Sequence, residues 1–335
     1  MNTAKAFVAI AMMGLAVASC SSDSASESTP VMNQDIIKFA TNAQPIIQSK
    51  AVNNPVNLQD KKFLENEPIN VYLTKNGTTD LLLPHGESSV STSYYKFTVG
   101  AAYTGTGSTE NSQILTAPNN YVFQYPGTEG VDVYALHPAT DAANVDKTST
   151  SFSVKENQTA DADYTNSDLI VATAANKKKT DGTILLTFAH KLSKVIVKLQ
   201  ADETENLGLV LDGAKISING NKTVALTHTT QADGSTELTL GAATDPANIV
   251  LGEYNEENGA AGIIIPQTAP KDEKLIQVTL ANGATFSYTP TDDETFEAEK
   301  EYVYTLTLKA ELLTLVSVEI KPWTTVQRTG DAILD

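Results

Sequence analysis

The sequence predicts an all-β protein: two tandem β-sandwich domains behind a lipoprotein signal peptide. Three observations carry that reading. Short runs rich in β-branched and aromatic residues alternate between apolar and polar, and turn signals separate them at roughly 8–12 residues. No stretch past residue 20 has the periodicity of an amphipathic helix longer than a single turn. The 335 residues, 41% hydrophobic and 19% charged, are enough for two domains that each bury a core.

Residues 1–19 form the signal peptide. Lys5 gives a positive start, and residues 6–17 are apolar but too short to span a hydrocarbon layer of ~30 Å. Val17-Ala18-Ser19-Cys20 then resembles a bacterial lipobox, in which small residues precede a lipidated cysteine. Cys20 is the only cysteine of the chain, so it is the lipidation site. Acyl chains there hold the chain on a membrane at ~0.8 kcal/mol per buried CH₂. Residues 20–34 are rich in Ser and Glu, bury nothing, and read as a flexible tether.

An N-terminal sandwich is expected over residues 35–178. Its strand candidates are 36–39, 46–47 beyond Pro45, 69–73, 95–99, 120–125, 131–136, 152–154 and 168–172. Asn54-Pro55, Asn76-Gly77 and Pro126-Gly127 mark turns between them. The charged loop at 176–182 is the candidate boundary. A C-terminal sandwich is expected over 179–335, with strands at 184–188, 194–199, 214–218, 223–227, 237–240, 261–265, 275–280, 284–288, 301–308 and 315–320. Asn282-Gly283 marks a hairpin between two of these.

Composition restricts the function. The net charge is −17 and Arg328 is the only arginine, so nucleic acid is excluded as a partner. Lys177-Lys178-Lys179 reads as a solvated loop. With one cysteine there is no intramolecular disulfide and no multi-cysteine metal site, so packing must hold the fold. His85, His137, His190 and His228 have no ligand spacing, and no nucleophile or phosphate-loop motif is present. The acidic groups Asp161 and Asp163, and those of 292–299, lack the spacing of a calcium loop. No enzyme activity, cofactor or metal is expected. Tyr94, Tyr95, Tyr103, Tyr121 and Tyr125 read as strand and core residues; displayed on one surface, they would instead suit a glycan or a host protein.

Several stretches together resemble the fimbrillin family of Bacteroidales, the subunits of type V pili. They are the lipobox, LTFAHKLSKVIVK at 186–198, IIPQT at 264–268, FEAEKEYVYTL at 296–306, and VEIKPW at 318–323. The resemblance implies two transthyretin-like sandwiches exported as an outer-membrane lipoprotein and carried to a surface fimbria that supports adhesion. It also implies a trypsin-like maturation protease that removes the lipid together with the first strand, residues 35–50. The cleavage pair falls on Lys50-Ala51, where the family usually has Arg before the cut. The partners implied are other pilin subunits, whose strands fill the vacated groove. The donor strand is expected in the tail, with Val316, Val318, Ile320, Val326 and Ile333 as its apolar residues. The lysine leaves an alternative open: a permanently anchored surface lipoprotein, serving as pilus anchor or tip, or as a glycan- or host-protein-binding module.

Overall fold

The structure, a computed structural model, describes residues 35–43, 62–201, 209–308, 313–322, 326–328 and 333–334. It is a mostly β protein with several sheets, and its short helix α1 spans Asp161–Asn166. The first half supplies β1 (Phe39–Ala43), β2 (Pro68–Lys75), β3 (Tyr95–Ala102), β4 (Gln113–Thr116), β5 (Val131–His137), β6 (Ser151–Ser153), β7 (Ile170–Lys177) and β8 (Ile184–His190). Seven of these close a barrel in the order β1-β4-β3-β2-β5-β7-β8.

Closure departs from the expected sandwich of two separate sheets. The run expected to open the second half is β8, which pairs with β7 and β1 and so completes the ring. Residues 120–125, expected as a strand, form only an isolated bridge, between Gln124 and Ile36. Asn119 and Asn120 take left-handed φ values of 54° and 57°, so the chain turns before it can run extended. β4 lies just before that turn and was not expected.

The second half supplies β9 (Ser193–Ala201), β10 (Lys215–Thr230), β11 (Thr236–Val250), β12 (Ala260–Ile264), β13 (Gln267–Ala269) and β14 (Ile276–Thr279). It continues through β15 (Thr285–Tyr288), β16 (Glu294–Phe296), β17 (Lys300–Leu308), β18 (Leu313–Pro322), β19 (Val326–Arg328) and β20 (Ile333–Leu334). One sheet runs β11-β10-β14-β15-β20, another β12-β9-β17-β18-β19, and β13 pairs β16. The two larger sheets share one apolar cluster: Ile216, Ile276, Val278 and Phe286 come from the first, Val195, Val197, Tyr304 and Leu306 from the second.

β10 merges two expected strands. The Asn219-Gly220-Asn221 stretch between them has the composition of a turn but stays extended, because it lies opposite Asn248, Ala247 and Pro246 of β11. The Gln267 side chain completes the ladder there. Its Oε1 accepts from the Asn221 backbone N–H at 2.7 Å, and its Nε2 donates to the Asn221 carbonyl at 3.1 Å.

The alternation that predicts β2 and β5 has a consequence for the whole fold. Ile69, Val71, Leu73, Val133 and Ala135 point into the barrel, whereas Tyr72, Tyr134 and Leu136 join the second half's core. Both faces of these strands are thereby buried. The β10–β11 hairpin reaches back over the barrel. The His228 ring nitrogen Nδ1 lies 3.0 Å from the Tyr134 hydroxyl, and the Thr236 N–H donates to Thr173 Oγ1 at 3.3 Å. At its tip Gly234 takes φ +91° and packs against the Asp132 carboxylate, which leaves no space for a Cβ.

Candidate functional site: the first strand and its slot

β1 closes the barrel. It runs antiparallel to β4, with Phe39, Ala40 and Thr41 opposite Leu115, Ile114 and Gln113. It runs parallel to β8, with Phe39 through Ala43 opposite Ile184 through Phe188. The approach to β1 is also bound: the Ile37 N–H donates to the Phe123 carbonyl at 2.9 Å, and the Ile184 N–H to the Lys38 carbonyl at 2.8 Å. Lys179 pairs with Asp35 at the entry.

Ile37 and Phe39 are inward anchors. Both belong to the barrel's core, with Phe97, Leu115, Phe123, Ile184, Leu186 and Phe188. The Phe39 ring meets Phe97 edge-on at 5.3 Å, and Tyr95 packs on Phe123 at 4.6 Å. Burying each anchor contributes about 1.5–3 kcal/mol. Thr41 Oγ1 accepts the Gln113 N–H at 3.2 Å, which fixes the register of β1 against β4. Without β1, the barrel would open between β4 and β8 along an apolar slot with two unpaired strand edges.

The tail lies on the chain's own sheets. β18 pairs β17, β19 pairs β18, and β20 pairs β15. Of the expected donor residues, Val318 is buried, Ile320 packs partly buried against the second core, and Val316 is 45% exposed. Val326 and Ile333 lie in β19 and β20. Cys20, Lys50 and Ala51 lie outside the described residues.

The tyrosines do not gather on one exposed surface. Tyr95 and Tyr125 are buried, and burial pushes both hydroxyls up to about 12. The Tyr95 hydroxyl donates to the Leu82 carbonyl at 2.8 Å. The acidic run is spent on structure: the Glu294 carboxylate accepts from the Tyr288 and Tyr304 hydroxyls, and Asp293 accepts the Lys271 N–H at 2.9 Å. Among the described residues no group of His, Cys, Asp and Glu has the geometry to hold a metal. Three histidines serve packing: His190 bonds Asp168 at 2.9 Å, His137 bridges Glu67 and the Asp168 carbonyl, and His228 meets Tyr134.

One part of the site carried no sequence signal of function. The β3–β4 loop, residues 103–112, lies beside the outer face of β8, where Gly107 packs against Leu185. Its Gly-Thr-Gly core has only the composition of a turn.

A family model described as Fimbrillin-like matches residues 51–323. A Bacteroides uniformis protein, Fim1C, named as a candidate fimbrium subunit, is 28% identical over 157 residues. That match covers 46% of this chain and 50% of Fim1C, so the chain spans about half the length of the curated relative it matches. Two crystal structures share the fold. A candidate cell adhesion protein from Bacteroides uniformis aligns with a TM-score of 0.58 at 18% identity, over 88% of this chain and 100% of that one. Another, from Bacteroides ovatus, aligns with a TM-score of 0.54 at 14% identity, over 90% of this chain and 98% of that one.

Proposed function

The chain belongs to the fimbrillin-like family, whose members are structural rather than enzymatic, and from that premise we propose that it is a fimbrial subunit assembled by strand exchange. In this reading the chain reaches the outer membrane as a lipoprotein held through Cys20. A trypsin-like protease then cuts between Lys50 and Ala51, and β1 leaves with the lipid. A strand from the tail of another subunit takes its place between β4 and β8. The two halves are transthyretin-like in the family's sense, and the surface fimbria they build supports adhesion.

One observation carries the proposal. β1 is the N-terminal strand of the barrel, is paired along both edges, and continues along the chain only through residues 44–61, which contain Lys50-Ala51. A single cut there separates a strand whose loss would expose two edges and an apolar slot, and such a slot binds another strand. The family match begins at Ala51, the residue after that cut.

Limited trypsin treatment of the detergent-solubilised full chain tests this. Cleavage after Lys50 is expected to convert monomer into a ladder of polymers; a cleaved chain that stays monomeric would contradict it. The lysine itself favours a second reading. If the maturation protease requires arginine, the subunit keeps its lipid and serves as a pilus anchor or surface lipoprotein.

A further inference from the structure

Ala40 sits differently from its neighbours on β1. Ile37 and Phe39 enter the barrel core, but Ala40 belongs to neither core and is nevertheless 0% exposed. Its register partners show which way it faces. Ile114 on β4 is 43% exposed, and Leu185 on β8 is half-buried between the inward residues Ile184 and Leu186. Paired residues share a face, so Ala40 points out of the barrel between two branched aliphatic side chains.

The β3–β4 loop stands on that face. Gly107 takes φ +78°, and a Cβ there would come within 2.8 Å of Leu185 Cδ1. The loop is tied to itself. The Tyr103 N–H donates to the Ser112 carbonyl at 2.7 Å, the Ser108 N–H to the Gly105 carbonyl at 3.1 Å, and the Thr109 N–H to Ser112 Oγ at 2.9 Å. Ser112, where the loop enters β4, is itself buried.

We propose that residues 103–112, with Leu185 and Ile114, form a roof that makes the slot selective: it admits only a strand with a small residue at the Ala40 position. The occupant is an extended strand of another subunit that carries Ala, Gly or Ser immediately after an inward bulky anchor equivalent to Phe39. This rests on the strand-exchange reading and adds a rule about which strands qualify. A larger residue would press on Leu185 and on a loop held in place by its own hydrogen bonds. Such overpacking costs enough to lower occupancy about tenfold or more.

Two measurements on the full chain separate the roof from the exchange reading. In the intact protein, which needs no exchange, Ala40→Leu is expected to lower the urea midpoint. Adding Leu185→Ala, or replacing residues 104–110 by two glycines, is expected to restore most of that loss. If Ala40→Leu is silent, or if neither change rescues it, the roof is overturned. After cleavage at Lys50, labelled peptides of residues 35–49 are offered with Ala, Gly, Ser, Leu or Phe at position 40. The small three are expected to enter and the large two to be excluded. Equal entry of the Leu peptide overturns the selectivity. Discrimination among peptides without polymer formation supports the roof while counting against assembly by the chain's own tail.

Discussion

Phe39 anchors β1 in the barrel core. It is buried, meets Phe97 edge-on at 5.3 Å, and lies opposite both Leu115 and Ile184. Phe39→Ala is expected to cost about 3–5 kcal/mol in urea unfolding, because the ring leaves a cavity in a closed barrel. Titration of the tyrosines gives a second test at this scale. Burial holds the Tyr95 and Tyr125 hydroxyls near 12, above the ordinary value of about 10. The unfolded chain therefore loses these protons at lower pH than the folded one. The stability they contribute is complete below about pH 10 and falls as pH rises toward 12. The tyrosinate absorbance that Tyr95→Phe and Tyr125→Phe remove is expected to rise in step with loss of the fold over that window. Ionisation well before unfolding would show that these hydroxyls are accessible.

Among the elements, the β10–β11 hairpin ties the second half to the barrel. The Asp132 carboxylate accepts from Asn76 Nδ2 at 2.9 Å, the Gly77 N–H at 2.7 Å and the Asn176 N–H at 2.7 Å, while Gly234 caps it from the hairpin tip. Asp132→Ala removes the acceptor of two backbone N–H groups and is expected to cost about 2–4 kcal/mol in the same unfolding measurement. A loss below about 0.5 kcal/mol would show that water replaces the carboxylate. Little of this tie could be read from the chain. β2, β3, β5, β9, β14, β15 and β17 were legible, because alternation and the Asn282-Gly283 turn act locally. The continuity of β10 was not, because Asn219-Gly220-Asn221 is held extended by β11 and by Gln267, residues remote in sequence. β4 was missed for a similar reason: Gln113 to Thr116 is only four residues long, and its strand character comes from β1 and β3 on either side. A strand at 36–39 was legible from its apolar run, which the structure places as the approach to β1 and its start. The seat of the β3–β4 loop beside Leu185 was not, since a Gly-rich loop gives no sign of what it will pack against.

For the whole molecule, the question is what the closed barrel is for. A ring of seven strands has no edge to offer, so the first half is protected from uncontrolled strand pairing. Opening it at β1 would create, in one step, an affinity that the closed barrel lacks. Under the strand-exchange proposal, export as a monomer and assembly only at the surface would follow from that arrangement. In the strand-exchange proposal the first half is the acceptor, and the tail, whose described strands lie on the second half, supplies the donor. The N-terminal residue of subunits in fimbriae sheared from cells tests this directly: Ala51 is expected, whereas sheared fimbriae whose subunits all begin with acylated Cys20 would contradict strand exchange at β1.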